Sequence, residues 1–216
     1  MTSTLEPAGA AEAGAAGAAE HEHYDPAASK LGMWLFLFTE ALLFGTMFIV
    51  YAVYLHQHAI GFRAAARDVN KLLGGANTAI LLTSSLTMAL AIAAMIRGNR
   101  RACVQLLAVT LILAACFLGV KGYEWGHKFA HGIYPKSASM LLRPAGEQVF
   151  FGLYFTMTGL HALHVLAGGG AILWAIRHIR LGRIAPDRPT VLANVGLYWH
   201  LVDLVWIFLF PLFYLI

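Results

Sequence analysis

Five apolar runs, near residues 31–55, 77–96, 103–124, 149–176 and 190–216, dominate this chain and leave it few ways to fold. Each is about 20 residues or longer, enough to cross a hydrocarbon layer of roughly 30 Å as a helix. Only helices and closed barrels satisfy the backbone in lipid, and unbroken runs of this length are helical. The expectation is an all-α integral membrane bundle of five transmembrane helices. With 59% hydrophobic residues, 12% charged residues and a mean hydropathy of +0.67, the chain lacks the polar surface of a soluble domain. Its net charge of +4 sits in loops and does not interleave with aromatics, which excludes a nucleic-acid partner.

Residues 1–29 are rich in Ala, Gly and Glu. They lack the positive and apolar regions of a secretory signal and read as a disordered tail ahead of a single 30–216 transmembrane domain. His21-Glu22-His23 is a weak candidate metal tag. Cys103 and Cys116 share the third run. They lie about 19 Å apart along a helix, too far to bridge, and read as two small buried hydrophobes. An odd number of spans separates the termini. Lys30, Arg97, Arg100, Arg101, Arg177, Arg180, Arg183 and Arg188 fall on the N-terminal side; Arg63, Arg67, Lys71, Lys121, Lys128, Lys136 and Arg143 fall on the other. The first set is packed into two short loops with almost no acid, which predicts a cytoplasmic N-terminus and a periplasmic C-terminus.

Within the membrane the informative residues are the ionisable ones. Glu40 has no charged neighbour for roughly ten residues on either side. A charge at that depth costs about 2.5–3.5 kcal/mol on insertion scales, so it calls for a partner or a purpose. Glu124, His161, His164, His200 and Asp203 are the other candidates. His161 and His164 share a face of the fourth helix, and His200 and Asp203, spaced alike on the fifth, are placed to hydrogen-bond. The two stripes are expected to meet across a helix interface. Tyr123, Trp125, Tyr198, Trp199 and Trp206 flank these groups and suit an interfacial belt or a partner subunit.

Three uses of such residues are open. His161 with His200 offers one haem-ligand pair, without a second pair or a carboxylate–His spacing that resembles a di-iron bundle. A proton-coupled transporter would use Glu40 and the histidines as a relay, but five spans make no even inverted repeat. The one hint of a broken span, Gly168-Gly169-Gly170, reads better as a close packing face. The structural reading, interhelical hydrogen bonds and lipid headgroup contacts of about 1 kcal/mol each, is favoured on physical grounds.

The ordered blocks carry a resemblance. Tyr198-Trp199-His200-Leu-Val-Asp203-Leu-Val-Trp206, Thr158-Gly-Leu-His161-Ala-Leu-His164 and Leu31-Gly-Met-Trp34-Leu-Phe-Leu-Phe-Thr39-Glu40 resemble blocks of subunit III of haem–copper oxidases. Asn77-Thr-Ala-Ile-Leu-Leu-Thr-Ser-Ser and Lys121-Gly-Tyr-Glu124-Trp fit between them in the right order. The resemblance spans residues 30–216 and implies the five-helix bacterial form, in which the two leading helices of seven-helix members are missing and another subunit would close part of the lipid cleft. It implies a chain with no catalytic centre, cofactor or metal of its own, inside a respiratory complex of the bacterial inner membrane that reduces oxygen to water and translocates protons. Haem and copper would reside in partner subunits. Subunit I would be the main partner, with subunit II, further subunits and structural phospholipids beside it. Glu40, Glu124, His161, His164, His200, Asp203, Trp34 and Trp199 would lie at the lipid or subunit I interface, or form a structural polar network. The chain would support proton uptake and enzyme lifetime. Glutamate after Thr39, where quinol-oxidase members often carry aspartate, points towards cytochrome c as the electron donor. A quinol oxidase and an accessory protein of nitric oxide reductase systems are the neighbouring alternatives. The basic loop 129–148, with Pro135 and Pro144, is either a solvated loop or a contact for a periplasmic donor.

Overall fold

The computed structural model describes residues 26–184 and 190–216. Most of the expected tail, with His21 and His23, lies outside them. Among the described residues seven helices follow in order: α1 (Pro26–Gln57), α2 (Ala59–Ala66), α3 (Lys71–Ile96), α4 (Arg100–Ala130), α5 (Ala138–Leu141), α6 (Ala145–Arg180) and α7 (Thr190–Tyr214). There is no strand among the described residues. The five long ones are apolar enough to span a membrane, and they coincide with the five predicted runs.

All of the long helices but α7 overrun the predicted limits, because polar residues at headgroup depth continue the backbone ladder as readily as apolar ones. At 36 residues, α6 is about 54 Å long and projects beyond the hydrocarbon layer. More consequentially, α4 does not end near residue 124 but at Ala130, so Lys128, like Lys121 within the predicted run, belongs to the bundle and not to a loop. Local chemistry sets the helix starts. The Asn70 side chain accepts hydrogen bonds from the amides of Leu72 and Leu73, at 3.0 and 3.2 Å, and Asn99 accepts from that of Ala102 at 3.0 Å. Between α3 and α4 the chain reverses through Gly98, whose φ of +78° suits a residue without a Cβ.

The core lies where α3, α4, α6 and α7 converge, filled by Trp199, Trp206, Phe117, Phe150, Phe213 and Tyr154. By contrast, α1 leans on α6 and α7 and leaves Trp34, Leu35, Phe38 and Ile49 more than half exposed. Small residues allow the closest approaches. Gly168, first of the Gly168–Gly170 run, is the packing glycine: a Cβ there would sit 2.9 Å from the Trp199 ring, whereas Gly170 faces open space. Cys103 is buried as expected. Cys116 is not; it points outward from α4.

Two short helices unforeseen in the sequence brace one end. In α2, Gly61 abuts Gly146 of α6 so tightly that a Cβ on Gly61 would lie 2.9 Å from the Gly146 Cα. Because that neighbour is backbone, Gly61→Ala must push α2 off α6. A loss of about 1–3 kcal/mol is expected, read as earlier thermal unfolding than for the control Gly75→Ala, whose Cβ meets nothing. The expected loop 129–148 is shorter in the structure, because α4 runs to Ala130, α6 begins at Ala145 and α5 lies between them; its contacts order it, with Ser139 Oγ donating to the Gly132 carbonyl at 2.6 Å and Gln148 Nε2 to that of Arg143 at 2.8 Å. Arg143 then reaches Asp68 at 2.7 Å and Glu147 at 3.1 Å. The hydrogen bond to Asp68 raises the guanidinium pKa above its ordinary value, so Arg143 stays charged throughout the physiological range. The pair is partly solvated and contributes about 0.2–1 kcal/mol.

Candidate functional site: the intramembrane polar groups

Glu40 has the partner its position demands. His164 Nε2 lies 2.9 Å from Glu40 Oε2, joining α1 to α6. The other ring nitrogen, Nδ1, faces the Leu160 carbonyl at 2.8 Å. A carbonyl only accepts, so Nδ1 carries a hydrogen, and a single proton is shared between Nε2 and the carboxyl. That proton makes either an ion pair or a neutral acid–imidazole pair. Phe44 packs edge-on to the imidazole with centroids 5.2 Å apart, and Tyr198 of α7 donates to the His164 carbonyl at 3.2 Å. The pair is largely but not wholly enclosed, with 15% and 17% of the two side chains exposed.

A second centre lies towards the C-terminal end of the bundle. The Lys121 ammonium donates to Glu124 Oε2 at 3.1 Å, Tyr154 Oη at 3.0 Å and Tyr214 Oη at 2.6 Å. These three bonds use all three of its hydrogens. Tyr214 in turn donates to Glu124 Oε2 at 2.8 Å. The rings of Tyr154, Trp206 and Tyr214 stand 4.8, 5.1 and 5.2 Å from the ammonium, adding cation–π attraction. Two turns on from Lys121, Lys128 is also buried and donates to the Asp68 carbonyl at 3.0 Å. Glu124 was legible from the sequence, but Lys121, Lys128, Tyr154 and Tyr214 were not. The available signal was the Lys-x-x-Glu-x-x-x-Lys spacing, which puts all three charges on one helix face once α4 is known to continue.

The remaining candidates divide. His161 is fully buried, edge-on to Phe117 at 5.5 Å and beside Trp206 at 5.2 Å, with neither ring nitrogen hydrogen-bonded. It thus shares a helix with His164 but serves the core, while His164 serves α1. The expected bond between His200 and Asp203 is not made. His200 Nδ1 pairs instead with Ser85 Oγ of α3 at 2.7 Å, and both oxygens of the buried Asp203 lack a partner. The α3 serine was available across the interface, and the pull of tertiary packing outweighed the local spacing. Trp199 is fully buried and donates to Ser84 Oγ at 3.2 Å; Trp34 points outward from α1. Among the described residues no group of three or more His, Cys, Asp or Glu is disposed to hold a metal ion.

The family model described as Cytochrome c oxidase subunit III matches residues 10–216. The chain is 32% identical to the cytochrome bo(3) ubiquinol oxidase subunit 3 of Pseudomonas aeruginosa, over 91% of this chain and 88% of that one. It is 31% identical to the cytochrome c oxidase subunit 3 of Thermostichus vulcanus, over 94% of each. To the probable quinol oxidase subunit 3 of Staphylococcus epidermidis it is 32% identical, over 87% of this chain and 89% of the other. Five membrane-crossing helices, the polar blocks in their expected order and these matches agree: the chain belongs to the subunit III family of haem–copper oxidase complexes, as a multi-pass protein of the bacterial inner membrane.

Proposed function

We propose that this chain is the non-catalytic subunit III of a proton-pumping terminal oxidase fed by cytochrome c, stabilising subunit I and its lipids and sustaining proton uptake. The observation that carries the non-catalytic reading is how its intramembrane groups are used. Glu40 and His164 engage each other, Glu124 engages Lys121 and Tyr214, and His200 engages Ser85. Such groups fasten helices together. The wide apolar face of α1 is the surface for subunit I and for phospholipid, with Trp34 on it and the Glu40–His164 pair at its inner edge. Subunit II and further subunits complete the complex, which carries the haem and copper.

A cytoplasmic N-terminus remains part of this reading. Burial of Lys121 and Lys128 removes two of the seven basic residues on the C-terminal side, leaving five against eight. Glutamate at position 40 favours cytochrome c. The equal likeness to a ubiquinol oxidase subunit supports quinol as the second reading.

Purification of the tagged chain from its native membrane in mild detergent, with mass spectrometry and a reduced-minus-oxidised spectrum, tests the role. Co-purification of a haem-bearing subunit I with oxygen uptake is expected, and the donor that supports uptake chooses between cytochrome c and quinol. A colourless chain recovered alone would favour a free-standing transporter. Within the complex, Glu40→Ala leaves His164 Nε2 without its partner and loosens α1. The initial oxidase rate is expected to be unchanged, with faster loss of activity or lipid during turnover. Immediate and complete loss of oxygen reduction would refute the non-catalytic assignment.

A further inference from the structure

Two histidines at the end of α4 fasten it to no other helix. His127 lies in the last turn and His131 caps it, and both are exposed. The His131 amide bonds to the His127 carbonyl at 3.2 Å, so the helical ladder reaches this pair and the two side chains share one face. His131 Nδ1 also lies 2.8 Å from that carbonyl. A carbonyl only accepts, so Nδ1 carries the hydrogen and Nε2 keeps a free lone pair. The bond folds the His131 ring back over that of His127, with centroids 4.2 Å apart and planes 30° from parallel. The His127 ring nitrogens have no hydrogen-bond partner among the described residues. His178 folds back in the same way, with Nδ1 2.9 Å from the Trp174 carbonyl and the rings 4.1 Å apart. Helix geometry thus dictates the stack. Among the described residues only His131 has a second imidazole one turn before it.

Two adjacent imidazoles, one already oriented by an Nδ1–H bond to a backbone carbonyl, have the arrangement of metal-ligating histidines. We propose that His127 and His131 together chelate one late divalent transition-metal ion, Cu2+ more tightly than Zn2+. His131 Nε2 and a ring nitrogen of His127 donate the lone pairs, and water fills the remaining positions. Two ligands fall short of the three or four of catalytic and structural zinc sites, so the ion is exchangeable. Neutral imidazole suits Cu2+, Ni2+ and Zn2+, whereas Mg2+ and Ca2+ require oxygen ligands. Arg67 lines the same cavity as His127 and further disfavours a cation held by charge alone. The site lies away from the Glu40–His164 edge and depends neither on the electron donor nor on the role assigned to the subunit.

The test is titration of the full chain, purified in detergent and washed with chelator, with Cu2+, Zn2+ or Mg2+ alone. Bound metal is measured by equilibrium dialysis, and the Cu2+ form is examined by electron paramagnetic resonance. Wild type is expected to take up one Cu2+ at this pair, Zn2+ more weakly and no Mg2+, with coupling of the copper to two imidazole nitrogens. His127→Ala and His131→Ala should each weaken Cu2+ binding about a hundredfold, because the second ring binds intramolecularly, and leave coupling to one nitrogen. Both side chains are exposed, so helical circular dichroism should not change in either variant. The double variant His21→Ala with His23→Ala removes the other closely spaced histidines of the chain and should leave this affinity unchanged. Equal Cu2+ affinity in wild type and His131→Ala would overturn the assignment. Loss of binding in the His21→Ala, His23→Ala variant alone would do the same, by placing the metal on the N-terminal segment.

Discussion

Replacing Glu124 with alanine is expected to destabilise the protein by about 3–5 kcal/mol, the largest effect of any single polar substitution in it. The Lys121 ammonium has 5% of its side chain exposed, and its salt bridge with Glu124 supplies the one carboxylate within bonding distance. Removing that carboxylate leaves a cation in the bundle with only two phenol oxygens as acceptors and deprives Tyr214 of its own acceptor. The double variant Lys121→Met with Glu124→Leu removes both charges together and should recover most of the loss, because the two desolvation costs vanish with the pair. Unfolding of the purified protein in detergent, followed by helical circular dichroism, measures both. A Glu124→Ala protein within 1 kcal/mol of wild type (about a fivefold change in equilibrium) would mean that the charges are not buried together as described.

Trp206→Ala should cost a similar amount, about 3–5 kcal/mol, for a different reason. The indole is fully buried and packs edge-on to Phe117 with centroids 4.8 Å apart. It lies 5.2 Å from His161 and 5.1 Å from the Lys121 ammonium. In lipid the unfolding reference is as apolar as the core, so the loss comes from dispersion contacts and an unfilled cavity, not from water transfer. The Nε1–H bond to Thr78 Oγ1 at 3.1 Å adds a smaller part. Trp206→Phe keeps most of the ring contacts and gives up that bond, so it should cost only about 1 kcal/mol. If the two variants unfold alike, the hydrogen bond and not the packing holds α7 to α3.

How much was legible beforehand follows from the range of each interaction. Apolar runs report on the solvent, and the solvent here admits only helices, so the five spans were readable within a few residues. Glu40 was readable as a group in need of a partner because insertion into lipid is costly for any isolated carboxyl. Its partner was not, since the 124 residues separating it from His164 leave no local trace. Lys128 fell outside the predicted run for the opposite reason. A hydropathy window treats a stretch with charged residues as the end of a span, while a lysine bonded to a backbone carbonyl is tolerated inside the helix. The His200–Asp203 spacing suggested a local pair that Ser85 displaced, because the nearest partner in a bundle is often on another helix.

By itself, then, the sequence determined the solvent, the helical class, the five spans and the subunit family, all properties carried by composition and short ordered blocks. Only the tertiary structure decided which buried groups meet: Glu40 with His164, Lys121 with Glu124 and two tyrosines, His200 with Ser85. The physical reason is that an intramembrane polar group is costly wherever it sits, whereas the partner that relieves the cost is set by helix rotation and crossing. Those depend on packing at residues such as Gly61, Gly146 and Gly168, which set how closely the helices approach one another.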